Sequence, residues 1–149
     1  MYLRLEPAMN AVFAYLIAQM PARITQMNTE VTDGLTLSDF AKYDINSLPD
    51  LTVISEFLLN VVDIEYFPIE FGVQDITIQF AIYFTFIGAD VKSNNTVLHR
   101  YLDAIQNLFF SDITLGGNVI GSEPSIARKK IGTDRGECEI MFKAMIELK

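Results

Sequence analysis

The chain has 149 residues, half of them hydrophobic, and a formal net charge of −8; that length fits one domain with a single core, and the apolar content points to surface that closes against other subunits. An acidic chain is a poor general binder of polyphosphate, because its long-range field repels what a local basic patch attracts. The single cysteine, Cys138, excludes an intramolecular disulfide and suits a reducing compartment, with the cytoplasm as the expected place of synthesis.

The charge is unevenly placed. Residues 1–75 hold eleven carboxylates against three cations (Arg4, Arg23, Lys42), whereas residues 76–149 hold eight of each. Such a two-sided molecule can mate head to tail with copies of itself.

The opening MYLRLEPAMNAVFAYLIAQMPA places Arg4 ahead of an apolar run, as a signal peptide would. Glu6, Pro7, Asn10 and Gln19 interrupt it, and no run approaches the roughly 18 apolar residues of a membrane span. Neither secretion nor membrane insertion is expected. Met9, Val12, Phe13, Leu16, Ile17 and Met20 recur at helical steps instead. They predict a first amphipathic helix, with Pro7 in its first turn and Pro21 at its stop. Residues 22–52 keep no period and carry the turn formers Asp33-Gly34, Asn46-Ser47 and Pro49-Asp50. They predict an irregular arm, of a length that is either disordered or committed to contacts.

Residues 56–67, EFLLNVVDIEYF, are too continuously apolar for a one-sided strand and predict one buried in the sheet interior. Residues 76–87, ITIQFAIYFTFI, alternate, with Ile and Phe at the even positions. Twelve residues at about 3.3 Å each make a long strand, suited to a projecting hairpin arm. Asn94, Asn95 and Thr96 offer N-caps for a second helix with the stripe Val97, Leu98, Tyr101, Leu102, Ile105, Leu108 and Phe109. A third strand near NVIGSEPSIARKKI is interrupted around Gly121 and Pro124 in the manner of a bulge or edge strand. A fourth follows in GECEIMFKAMIEL, with Cys138, Ile140, Phe142, Ala144, Ile146 and Leu148 on one face. The expectation is a single α+β domain over 1–149 in the order α-β-β-α-β-β. It is a two-layer sandwich of a four-stranded, mainly antiparallel sheet with two amphipathic helices on one face.

Residues that carry chemistry are sparse. His99 is the only histidine and sits one step off the apolar stripe of the second helix, the place of a solvated or capping side chain. By parity Cys138 lies on the buried side of the last strand, which keeps a thiol inert. With one His and one Cys no thiolate or imidazole zinc site forms within a subunit. The glycines of LGGNVIGSEP lack the lysine and the strand-to-helix setting of a phosphate loop. Neither a catalytic residue nor a metal or other cofactor is expected. The pairs Asp63/Glu65 and Glu137/Glu139 each share a strand face. They suit a cation or acid–base role less well than solubility or an ion pair between subunits.

SIARKKIGTDRG gathers four of the eleven basic residues, Arg128, Lys129, Lys130 and Arg135. Parity puts Arg128 and Lys130 on one strand face and Lys129 on the other. Three readings stay open. The cations meet carboxylates of a neighbouring subunit, they bind nucleic acid with a steep salt dependence, or they blunt a solvated strand edge.

The helix MNAVFAYLIAQM with its following arm, the strand DITIQFAIYFTFIGAD, the helix NNTVLHRYLDAIQNLFF, and a closing hairpin with IARKKIG and ECEIMFKAMIEL share a layout. Over residues 7–148 that layout resembles small bacteriophage tail-completion proteins, including the tail terminators of the neck. The resemblance implies a homo-oligomeric ring, a hexamer in that family, that caps the tail tube protein, ends tail elongation and offers a joining surface to a head-completion or connector protein. It implies a place in the virion, DNA passing non-specifically through the lumen, and no enzymatic activity. In that setting Arg128, Lys129, Lys130, Arg135, Asp63 and Glu65 become candidates for a subunit or partner interface or for the lumen wall. A head-completion adaptor of the neck is the nearest alternative, and a small nucleic-acid-binding module a more distant one.

Overall fold

A computed structural model describes residues 4–50, 55–70 and 73–148. In chain order the elements are α1 (Leu5–Glu30), β1 (Lys42–Ile45), β2 (Glu56–Glu70), β3 (Val73–Ile87), α2 (Val91–Ser111), β4 (Gly121–Ile131) and β5 (Arg135–Leu148). The strands form one sheet in the order β1-β2-β3-β5-β4. β1 runs parallel to β2, and every other pairing is antiparallel. The α+β class is as expected, but the sheet has five strands and is mixed.

The fifth strand comes from the arm. KYDI is too short to show a period, and it is a strand only because Lys42–Ile45 finds Glu56–Leu59 beside it. Between residues 28 and 40 the arm is committed to contacts, whereas Leu48 is exposed and residues 51–52 lie outside the described residues. Asn28 and Leu37 exchange hydrogen bonds at 2.8 and 2.7 Å. Tyr101 donates to the Ser38 carbonyl at 2.6 Å, and the Arg100 guanidinium clasps the Asp33 carboxylate and the Leu35 carbonyl. Phe40 then plugs into a ring cluster with Tyr43, Phe57, Phe84 and Tyr101.

α1 does not stop at Pro21 but runs through it to Glu30. An interior proline forfeits one helical hydrogen bond and costs about 3 kcal/mol. Ile24 and Met27 prolong the stripe of Leu16 and Met20 into the core, and that burial outweighs the loss. α2 begins earlier than expected, because Asp90 and not Asn94 is its N-cap, accepting from Ser93 N at 2.9 Å. Asn94 is instead buried, its amide donating to the Gly132 and Thr133 carbonyls at 2.9 and 3.3 Å. It thereby pins the β4–β5 turn to the start of α2.

Both helices pack on one face of the sheet. Four phenylalanines carry that contact from layer to layer. Phe13 of α1 meets Phe80 at 5.2 Å, Phe80 meets Phe142 at 5.0 Å, and Phe142 meets Phe109 of α2 at 4.8 Å between ring centroids. Alternation then sends Thr77, Gln79 and Tyr83 of β3, with Glu139, Met141, Lys143 and Met145 of β5, to the opposite face, which no described helix covers, although Ala81 and Thr85 of β3 and Glu56 and Leu58 of β2 are buried on it.

β2 departs from its expectation. Glu56–Leu59 are buried, but Val62, Tyr66 and Phe67 are 53%, 55% and 50% exposed. On the helix face the helices reach Ile76 and Ile78 of β3, which are fully buried, but not Tyr66 beside Ile76, while Val62 sits at a bulge and Phe67 points to the other face beside Asp75. β4 is an edge strand with a bulge between Pro124 and Ile126, as its sequence predicts. β2 and β3 form the expected long hairpin.

Candidate assembly surface

The bare face is ordered by strand register into rows that cross the sheet. One row reads Thr85, Glu137, Lys130, with Glu56 N–H donating to Thr85, and the next Leu58, Tyr83, Glu139, Arg128. Glu56, Thr85 and Leu58 in these rows are buried, and the open part of the face begins beyond them. Towards the hairpin tip follow Asp63, Gln79, Lys143, Glu123 and then Glu65, Thr77, Met145, Gly121. The candidate acids and cations thus share a face but occupy opposite corners of it. The structure does not bring them together within one subunit.

At the cationic corner Arg128 and Lys130 lie on exposed β4 positions beside Glu139 and Glu137 of β5. Among the described residues neither makes an ion pair. Arg135, at the start of β5, places its Nε 3.5 Å from Glu137 Oε1. Burial, then the Glu137 charge, pushes the Tyr83 hydroxyl up to about 12. Lys129 points the other way, as parity predicts. Its ammonium stands 3.2 Å from Asn95 Oδ1 and 3.0 Å from His99 Nε2. An ammonium only donates, so the ring nitrogen must be the acceptor in this contact. The basic cluster is therefore divided, with Lys129 tying β4 to α2 and the others facing the open sheet. Sequence reasoning left His99 as a solvated residue, and only the packing of α2 against β4 gives it Lys129.

At the acidic corner Asp63 and Glu65 are exposed and likewise without an ion pair among the described residues. Asp63 accepts from Ile64 N at 2.9 Å. A bulge between Val61 and Asp63 keeps both carboxylates on the bare face.

Two features escaped the sequence reading. Glu56 is a carboxylate only 1% exposed. Its side chain accepts from Asp50 N at 3.2 Å and lies 3.8 Å from Lys42 Nζ, while its own N–H donates to Thr85 Oγ1 at 3.1 Å. It fixes the turn after β1 onto the back of β2. A depression of about 420 Å3 lies at the β4–β5 end of the sheet, lined by Ile113, Ile120, Met145, Thr77 and Lys143 among others. Its Ser122 hydroxyl donates to the Ile113 carbonyl at 2.8 Å and so caps a loop.

Cys138 faces the helices, and burial pushes its thiol up to about 11. Among the described residues no three His, Cys, Asp or Glu side chains gather where a metal ion would be held. No helix among them is long and apolar enough to cross a membrane. No family model matches the chain, and no curated protein matches it closely enough to count as a relative.

Proposed function

We propose that the chain is a structural virion subunit of the phage tail-terminator kind. Copies close into a ring, a hexamer as in the proteins it resembles. The ring caps the last ring of tail tube protein, ends elongation and presents a joining surface to the head-completion or connector protein. DNA passes through the lumen without being read, and the subunit performs no catalysis.

The observation that carries this reading is the one-sided layering. Both helices spend their apolar stripes on a single sheet face, leaving the other face without a described helix and, beside it, two edges of opposite charge, β4 and the part of β2 beyond Leu59, without a partner strand among the described residues. A surface with unlike ends suits a head-to-tail contact, which closes when the rotation between copies permits. Among the described residues Arg128, Lys130, Asp63 and Glu65 make no ion pair, which leaves them available for a partner, whereas Arg135 already meets Glu137.

The test is the mass and shape of the purified protein, alone and with tail tubes. A closed ring in solution, or a monomer that forms one on tube ends and halts their growth, is the expected result. A strict monomer that ignores tubes and binds duplex DNA tightly at physiological salt refutes the reading in favour of a nucleic-acid module. Rings that bind the connector but never the tube end would favour the head-completion adaptor.

A further inference from the structure

We infer that the seam between neighbouring copies is a strand-to-strand junction. In it the outer edge of β4 in one copy pairs antiparallel with the outer half of β2 in the next, in the register that sets Lys130 opposite Asp63 and Arg128 opposite Glu65. This rests on the ring reading and specifies its interface.

Among the described residues both edges lack a partner strand. β4 is the last strand on its side of the sheet. On the other side β1 covers β2 only as far as Leu59. Direction also fits. β2, β3, β5 and β4 are joined by three antiparallel steps, so β2 and β4 run oppositely within a subunit. Copies related by rotation about an axis that keeps the strands' sense therefore bring β4 alongside β2 in antiparallel order. Bulges set the limits: the one between Pro124 and Ile126 leaves 126–131 as regular edge, and the one between Val61 and Asp63 leaves a regular run from Asp63 outward. Unpaired edges of this length are templates for strand addition.

One register pairs all three β4 side chains that the regular edge sends to that face, Ile126, Arg128 and Lys130. With Lys130 opposite Asp63 and Arg128 opposite Glu65, Ile126 falls opposite Phe67, and those two are 52% and 50% exposed in the isolated subunit. Opposite charges and apolar pairs directly across a ladder stabilise it, and like charges do the reverse. Each cation would then stand between two carboxylates, Glu137 or Glu139 of its own β5 and an acid of the neighbour. Ile131 falls opposite Val62, so the β4–β5 turn begins just short of Asn46, whose N–H donates to the Leu59 carbonyl at 2.8 Å. β1 therefore does not block the junction.

The same register imposes a stagger. Through β5, Lys130 lies level with residue 137 and Asp63 level with residue 143, so neighbours are offset by six residues. That is about 20 Å along the strands for about 19 Å across four strands. A closed ring then requires the strands to tilt by about 45° from its axis, at the upper end of the usual range for closed β-barrels.

The experiment uses the full chain with paired cysteines, Asp63→Cys with Lys130→Cys and separately Glu65→Cys with Arg128→Cys, under mild oxidation. Cys138 is buried and does not interfere. Each double variant should give a denaturation-resistant ladder of covalent oligomers, and each single variant none. A ladder or dimer from a single variant would mean symmetric edge pairing and overturns the seam. As a second measurement, Arg128→Glu with Lys130→Glu should weaken subunit association by about a hundredfold, since like charges then face each other. Adding Asp63→Lys and Glu65→Arg should restore it to within about tenfold. Rings of unchanged mass with no ladder and no response to reversal overturn the seam while the ring reading stands. A chain that stays monomeric at every concentration and on tube ends overturns both.

Discussion

If the helix-covered face carries most of the sheet's stability, truncating two adjacent residues of β5 must give very different results. Phe142 is fully buried and its ring meets Phe80 at 5.0 Å and Phe109 at 4.8 Å; Lys143 follows it on the bare face. Phe142→Ala removes a buried phenyl, a loss of about 3–5 kcal/mol. Two aromatic contacts, each of about 0.5–1.5 kcal/mol, place it towards the top of that range. Against a total of about 5–15 kcal/mol the variant is marginal but foldable. Urea unfolding followed by far-UV circular dichroism, with a slope of about 2 kcal/mol/M, should show the midpoint falling by about 2 M. Lys143→Ala should move it by less than about 0.3 M, within the usual surface effect of about 0.5 kcal/mol. Measuring at two protein concentrations separates folding from association. Equal shifts for the two variants, or a Phe142→Ala shift below about 0.5 M, would refute the one-sided layering and with it the bare face on which the assembly proposal depends.

Four other outcomes are expected. Arg100→Met removes the guanidinium that clasps Asp33 and the Leu35 carbonyl, and should cost about 1 kcal/mol at this partly exposed site, with faster amide exchange at residues 33–38. The hydrogen bond from Arg100 holds the Asp33 carboxyl down to about 2 from an ordinary 3.8. A depressed folded-state value means that its stabilisation is complete above the ordinary range and is lost as pH falls towards 2. Wild type should therefore lose stability more steeply between pH 4 and 2 than Arg100→Met does. Cys138, with its thiol pushed up to about 11 by burial, should not react with a maleimide at pH 7.5 in the native protein and should react fully in urea; native labelling would show that β5 is out of the described register. Gly136→Ala would set a Cβ 2.4 Å from the Phe86 ring and should destabilise by about 1–3 kcal/mol in thermal melts.

The junction proposal explains why such a small chain keeps Val62, Tyr66, Phe67 and Ile126 exposed. They lie along the two edges of the sheet, where a monomer would place charge or proline to discourage pairing. Arg128 and Lys130 do charge the β4 edge beside Glu139 and Glu137, and the acids that an added strand would bring, Asp63 and Glu65, sit on the other edge. A charge pattern that repels a second β4 and attracts a β2 selects one head-to-tail partner over self-pairing.

Local pattern alone fixed much of this molecule. The two helical stripes, the alternation of β3 and β5, the edge character of β4 around Pro124 and the opposed faces of Arg128, Lys130 and Lys129 all follow from periods of 3.6 or 2 that neighbouring residues share. What the sequence could not decide depended on residues far apart in the chain. Pro21 is helical because Ile24 and Met27 find a core, and KYDI is a strand because Glu56–Leu59 lies alongside it. Asn94 caps nothing because Gly132 and Thr133 claim its amide. The outer half of β2 looked like an interior strand, because apolar content reports only that a surface will be covered. Tertiary structure shows that the helices stop short of it, so in our proposal the cover is a second copy of the chain.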